Sequence, residues 1–160
     1  MSTEVAMPSK DARALEATIG DAIVRTLAVL GLAGVALIHL LDAHDTFVAA
    51  PYKGWLYVGL IVGSLATAAV LVRRSDRRAW LAALLLPLGA LVAFVYSRTV
   101  GLPEGADDIG NWWEPLGLAS MFVEAGVVVL AAAVLGRQDR GAFPRMAAYR
   151  LAPSLERSVR

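Results

Sequence analysis

Apolar residues are gathered along the chain into four long blocks, 22–41, 54–72, 79–97 and 115–135. A helix of about 20 residues, rising 1.5 Å per residue, crosses the roughly 30 Å hydrocarbon layer of a bilayer. A buried helix of a soluble bundle would keep a polar face, but the block 56–72 shows only Ser64 and Thr67. The pattern therefore predicts an all-α integral membrane protein, a four-helix bundle.

The polar segments around these blocks predict the remaining organisation. Residues 1–21 are polar and carry four acids before the first apolar block, so we expect an uncleaved first helix rather than a secretion signal. The short RRSDRR run after the second block makes helices two and three antiparallel neighbours. We divide the chain into a cytoplasmic amino-terminal segment (1–21), the bundle (22–135) and a basic cytoplasmic tail (136–160).

Positive charge predicts how the bundle is oriented. Of the 15 Lys and Arg residues, 13 fall in the segments 10–25, 73–78 and 137–160, and the other two are Lys53 and Arg98. Short loops rich in Lys and Arg stay on the cytoplasmic side of a membrane. We therefore expect both termini in the cytoplasm.

Composition narrows the chemistry. The chain is 58% hydrophobic with a mean hydropathy of +0.60 and a net charge of only +1. We therefore expect the lipid bilayer as a partner and do not expect nucleic acid. The chain has no cysteine, which excludes disulfides, iron–sulfur clusters and covalent c-type haem. No catalytic triad, phosphate loop or paired-carboxylate pattern indicates an enzyme, and we expect no cofactor, with copper or zinc as the alternative.

One acid lies inside a predicted span. Glu124 falls near mid-bilayer, where a charged carboxyl is costly, so it must be protonated, hydrogen-bonded or facing a wet cavity. Ser120 lies one turn away on the same face, and Ser64 and Thr67 fall at a similar depth. Two interpretations stay open: Glu124 takes part in transport or proton relay, or it joins helices by hydrogen bonds to Ser64, Thr67 or a carbonyl freed by Pro87.

A second cluster of polar residues lies at the outer end of the first span. His39 and Asp42 are three residues apart and share a helix face, whereas His44 joins that face only if the helix has already ended. A copper or zinc site at His39 and His44 with a loop carboxylate is chemically sensible. The alternative is a hydrogen bond between His39 and Asp42 at the membrane surface.

The segment between the third and fourth spans concentrates charge. Arg98 is a cation on the predicted outer side, and a guanidinium there suits pairing with a carboxylate. The candidate partners are Asp42, Asp107, Asp108 and Glu114. At the start of helix four, Asn111 and Glu114 form a capping box, or Glu114 caps and Pro115 is the first helical residue. We expect this loop to be ordered and folded over the outer end of the bundle.

The runs SRTVGLP (97–103), DDIGNWWEPLGLAS (107–120) and FVEAGVVVL (122–130) resemble those of a group of small four-span actinobacterial membrane proteins. The S-R-T-x-G-L-P run is the most specific part of this resemblance. It implies the four-span architecture and a bacterial inner (plasma) membrane, draws attention to Arg98, Glu114 and Glu124, and implies no substrate.

Three functions fit these observations. The first is an accessory or scaffold subunit of a membrane complex, whose loop contacts another membrane protein or a second copy of the chain. The second is a small transporter or proton-relay module using Glu124. The third is a metal or redox-cofactor subunit using His39 and His44.

Overall fold

The computed structural model describes residues 9–155, with side chains for residues 9–139, and it is all-α, as predicted. The elements are α1 (Lys10–Ala49), α2 (Pro51–Arg73), α3 (Arg77–Thr99), a short 3-10 helix (Ala106–Asp108) and α4 (Pro115–Leu155). In the described part of the chain, α1, α2, α3 and the Pro115–Asp139 part of α4 are long and apolar enough to cross a membrane.

The outer helices extend beyond the apolar blocks. α1 begins at Lys10, and the Ser9 hydroxyl caps it by accepting a hydrogen bond from the Ala12 amide at 3.2 Å. Residues 10–21 of the predicted amino-terminal segment 1–21 are therefore helical. α1 ends at Ala49 because Ala50 precedes Pro51, which disfavours helical backbone at Ala50 and begins α2. α4 continues through 136–155, and residues 1–8 and 156–160 of the two predicted terminal segments lie outside the described residues.

Each helix packs against two neighbours: α1 and α3 both contact α2 and α4. The chain therefore forms an up-down-up-down bundle. Residues 74–76 connect α2 and α3, and the Asp76 carboxylate caps α3 by accepting from the Ala79 amide at 2.8 Å. We call the end of the bundle with residues 74–76 the basic end, and the end with residues 100–114 the loop end.

The half of the bundle nearer the basic end is closely packed. Trp80 is fully buried, and its indole Nε1 donates to Ser75 Oγ at 2.8 Å. Gly31 lets α1 approach α4, since an added Cβ there would collide with Val127. The core cluster of this half comprises Ala28, Leu32, Ala68, Leu71, Ala79, Trp80, Ala83, Val127, Ala131 and Leu135. These side chains seal the basic end.

The loop of residues 100–114 is ordered, as predicted. It turns at Gly101 and Gly110, whose positive φ angles of 88° and 80° favour glycine. The Gly110 amide donates to the Arg98 carbonyl at 2.9 Å, and the Tyr52 hydroxyl donates to the Pro103 carbonyl at 2.6 Å. These bonds hold the loop across the ends of α2 and α3.

Candidate functional site

A cavity of about 680 Å³ lies between the loop-end halves of the four helices. This volume falls in the range of roughly 300–1,000 Å³ that is usual for small-molecule sites. The cavity reaches from Arg98 and Asp108 beneath the loop to Glu124, next to the packed half. The bundle is therefore hollow near the loop end and sealed near the basic end.

Glu124 and His39 lie together at the deepest part of this cavity. Glu124 is 1% exposed and His39 is 8% exposed, so both are effectively removed from bulk water. Glu124 Oε1 accepts a hydrogen bond from Ser120 Oγ at 2.8 Å and lies 3.6 Å from His39 Nε2. We call these two residues the Glu124–His39 pair.

The backbone fixes which nitrogen of His39 carries a proton. His39 Nδ1 lies 2.9 Å from the Val35 carbonyl, which can only accept, so Nδ1 is the donor. A neutral His39 therefore presents the lone pair of Nε2 to Glu124. Two acceptors that face each other at 3.6 Å repel unless a proton lies on one of them. One proton on the pair, as carboxylic acid with imidazole or as carboxylate with imidazolium, removes this repulsion.

Helix direction brings these two side chains together. In an α-helix the Cα–Cβ bond tilts toward the amino terminus. α1 and α4 are antiparallel neighbours, so His39 leans toward the basic end while Glu124 leans toward the loop end. The two side chains consequently meet between their backbones, and His39 lies inside the bundle rather than at its outer rim.

The predicted hydrogen bond between His39 and Asp42 is wrong. Asp42 Oδ2 instead accepts from the Tyr57 hydroxyl at 3.1 Å and from Thr46 Oγ1 at 3.2 Å. The Tyr57 ring packs edge-on against the His39 ring with centroids 4.7 Å apart. Polar groups therefore line one wall of the cavity from Glu124 through His39 and Tyr57 to Asp42.

His44 does not join His39. Because α1 continues to Ala49, five residues separate the two histidines on one helix, which turns them by about 140°. His39 is buried in the bundle and His44 is exposed. Among the residues that the structure describes, no group of three His, Cys, Asp or Glu side chains is close enough to hold a metal ion. The geometry on which the predicted metal site depends is absent from this region.

Arg98 closes the loop end of the cavity. It is 6% exposed, and its guanidinium binds Asp108 Oδ1 at 2.6 Å and also the Glu114 carboxylate. Lys53 on α2 binds the other oxygen of Asp108 at 3.2 Å. We call these four residues the ionic cap. The ionic cap joins α2, α3, the loop and the start of α4. Of the four predicted partners of Arg98, the structure shows contacts with Asp108 and Glu114, whereas Asp107 is exposed.

The ionic cap controls the ionisation of Asp108. Burial alone would raise the pKa of this carboxyl, but the hydrogen bonds and charges of Lys53 and Arg98 outweigh burial and hold the pKa below its usual value. Glu114 immediately precedes Pro115, the first residue of α4, which corresponds to the second of the two predicted helix starts. Its carboxylate also binds Arg98.

Ser64 and Thr67 do not bind Glu124. The Thr67 hydroxyl donates to the Gly63 carbonyl at 2.7 Å, within its own helix. Ser64 is fully buried, and its hydroxyl has no hydrogen-bond partner in the described part of the chain. The hypothesis that these two residues join Glu124 to α2 is therefore wrong, and α1 supplies the contact instead.

No protein-family model, curated protein sequence or solved structure matches this chain. Sequence reasoning missed Tyr57 as a residue of the cavity and placed His39 at the outer rim. The sequence does contain a signal for His39. Buried α1 positions recur at spacings of three and four, as Ala28, Leu32, Val35 and His39, so the histidine belongs to the packed stripe.

Proposed function

We propose that this protein is a small multi-pass transport module of a bacterial plasma membrane that exchanges protons at the Glu124–His39 pair. Four helices of sufficient length and apolarity are compatible with a multi-pass membrane protein. The proposed orientation, with both termini in the cytoplasm, follows from the 13 cationic residues of the segments 10–25, 73–78 and 137–160. The cavity then faces the outer half of the membrane.

The observation that carries the proposal is the position of the pair. It lies where the hollow half of the bundle meets the packed half, and both of its residues line the cavity. Ionisable residues inside a membrane are costly and mark ion or substrate pathways. Transporters commonly place such groups near the bilayer midplane, where access can alternate between the two sides. The packed Leu32, Leu71 and Trp80 would be the barrier to the cytoplasmic side.

The groups facing the pair favour exchange over a permanent ion pair. Ser120 donates to Glu124, Tyr57 contacts His39 edge-on, and Asp42 lies beyond Tyr57. Along α3 the cavity is lined by Leu86, Gly89, Ala90 and Ala93 before Phe94, and none of these four titrates. The described residues around the pair supply no Lys or Arg that would hold Glu124 as a carboxylate. Its proton can therefore leave and return.

The accessory-subunit hypothesis depends on the loop of residues 100–114 being free to contact another protein. Two of its four carboxylates, Asp108 and Glu114, are bound to Arg98 and Lys53 within the chain, whereas Glu104 and Asp107 are exposed. The loop also exposes large apolar side chains, Val100, Ile109 and above all Trp113, which is 84% exposed. The accessory-subunit hypothesis stays a prediction, and we prefer transport because the cavity and the buried pair are features that a transport module would use.

Proton flux into sealed vesicles tests this function. Purified protein in vesicles with an internal pH dye is given a membrane potential, and internal pH is followed. We expect proton flux from wild type and from Asp139→Asn, an exposed carboxyl at the basic end. Glu124→Gln, which keeps the shape but not the titratable proton, should lower flux by at least about tenfold, as expected for loss of an essential relay group. Equal flux from wild type and Glu124→Gln would refute the proposal.

A further inference from the structure

The cavity has an opening between α2 and α3. Gly59 on α2 and Gly89 on α3 both line it, and an added Cβ at either would meet no atom within 4 Å. One helical turn deeper the helices come together, because a Cβ on Gly63 would lie 3.2 Å from Leu86. Leu56, which is 65% exposed, lies at the edge of the opening. The opening is thus a gap bounded by α2, α3 and the Gly63–Leu86 contact.

The ionic cap spans the end of the cavity that would face water. Lys53, Asp108, Arg98 and Glu114 are joined by direct ion pairs, and Tyr52 holds the loop at Pro103. The α2–α3 gap is bordered by apolar side chains and by backbone at glycine. In a bilayer this gap faces the acyl chains of the outer leaflet, so the open route into the cavity leads from lipid.

The charge inside the cavity is negative. Lys53 and Arg98 are neutralised by Asp108 and Glu114 in the ionic cap. Two carboxylates that also line the cavity remain, Asp42 and Asp45, and the Glu124–His39 pair is neutral when it holds its proton. If the pair gives up that proton, the wall gains a third negative charge. A cation that entered would be attracted, and an anion would be repelled.

Aromatic rings complete the recognition surface. Tyr57, Trp55 and Phe94 line the cavity. Their faces attract organic cations, and their area suits an apolar body. Phe94 already binds one cation in this way, because the Arg98 guanidinium carbon lies 4.8 Å from its ring centroid.

We infer that the cavity binds a lipophilic organic cation that enters from the outer leaflet through the α2–α3 gap and takes the place of the proton on the Glu124–His39 pair. This inference rests on the proposed function for the mobile proton, and it adds the ligand class and the route. The apolar body of the ligand lies along Leu56, Leu60 and Leu86, and its charge faces Glu124 and Asp42. Binding one cation releases one proton.

The test measures binding to protein in lipid nanodiscs, with empty nanodiscs subtracted. The probe is methyltriphenylphosphonium, and triphenylphosphine oxide is a neutral compound of similar size and shape. We expect the cation to bind and the neutral compound to bind at least about tenfold more weakly, because it lacks the charge that the carboxylates attract. Tetramethylammonium, a cation without an apolar body, should also bind weakly. Equal binding of the neutral compound would overturn the inference.

Two variants separate the charge from the route. Glu124→Gln should weaken cation binding by at least about tenfold through loss of the buried carboxylate. Gly59→Phe should fill the gap and weaken binding to a similar extent, whereas Gly126→Phe should not. Gly126 is the matched control because it is exposed on α4, away from the cavity, and a Cβ there also meets nothing within 4 Å. Equal binding by both Phe variants would show that the ligand does not use the gap.

Two further readouts distinguish the possible failures. Where one cation displaces one proton, binding should weaken by up to about tenfold for each unit of falling pH. Binding of the cation without proton release would uphold the ligand class and route while contradicting proton exchange at the pair. A second copy of the chain is the competing occupant of the gap. Because the chain has no cysteine, efficient disulfide formation between Gly89→Cys copies without ligand would reveal that copy and overturn the inference.

Discussion

The ionic cap should stabilise the fold more than other ion pairs of the chain, and Arg98→Met isolates its contribution. Methionine keeps most of the length and apolar surface of the side chain but removes the guanidinium. The change breaks two charge-assisted hydrogen bonds, to Asp108 and to Glu114, each worth roughly 1.5–3 kcal/mol in a buried setting. The carboxylates are 38% and 33% exposed and can be rehydrated, and burial of Arg98 itself is costly. We therefore expect the free energy of unfolding to fall by about 2 kcal/mol.

Equilibrium unfolding in mixed micelles, followed by circular dichroism, measures this loss. The control is Arg74→Met, which removes a cation that is 72% exposed and pairs with Asp76, where we expect at most about 1 kcal/mol. The pH dependence gives an independent check. The pKa of Asp108 is depressed in the folded chain, so its contribution is complete above the usual aspartate value of about 3.9 and is lost as pH falls through the lower folded value. The difference between wild type and Arg98→Met should be constant from neutral pH down to about pH 5 and shrink below about pH 4. Equal losses from Arg98→Met and Arg74→Met, or a difference that stays constant in acid, would refute this reasoning.

Three further changes test the packing by the same unfolding measurement. Gly31→Ala should lower the free energy of unfolding by about 1–3 kcal/mol because the methyl group collides with Val127. Gly126→Ala, where the methyl group meets nothing, should raise it by up to about 1 kcal/mol. A more stable Gly31→Ala than Gly126→Ala variant would contradict the packing. Trp80→Ala should cost about 3–5 kcal/mol, since the side chain is fully buried, and a loss under about 1 kcal/mol would place Trp80 outside the core. Tyr52→Phe removes the hydroxyl that binds Pro103 and should cost about 0.5–1.5 kcal/mol while increasing amide hydrogen exchange in residues 100–114; unchanged exchange there would mean that this bond does not hold the loop.

The sequence predicted the fold class because the length of an apolar block is a direct consequence of bilayer thickness. It predicted the helix ends less well, since helical backbone continues through polar residues such as 10–21 as long as caps and prolines allow. The partners of Arg98 were restricted to a few nearby acids by the local concentration of charge. Chain geometry then selected Asp108 and Glu114 from among them.

The contact between Glu124 and His39 was not predicted, because depth alone does not say which helices are neighbours. Glu124 was compared with Ser64 and Thr67, which fall at a similar depth on α2. The structure places α4 beside α1 and α3, so α2 is its diagonal neighbour. The buried stripe of α4 runs through Ser120, Glu124, Val127 and Ala131, with the same spacings of three and four that place His39 on the buried stripe of α1. Glu124 and His39 are paired by comparing the buried stripes of two antiparallel helices, and not by comparing the depths of single residues in the membrane.

Glycine has opposite consequences at the two ends of this bundle. At Gly31, Val127 of the neighbouring helix α4 occupies the space that a side chain would take, so the two backbones approach each other and this half of the bundle is closely packed. At Gly59 and Gly89 no neighbour fills the space, and the same absence of a side chain leaves an opening. The G-x-x-x-G spacing of Gly59 and Gly63 therefore marks both cases on one helix, because Gly63 meets Leu86 and Gly59 meets nothing. Whether a stripe of glycines packs against a neighbour or leaves a gap depends on the residue that faces it. Here Leu86 of α3 ends the gap by contacting α2 at Gly63.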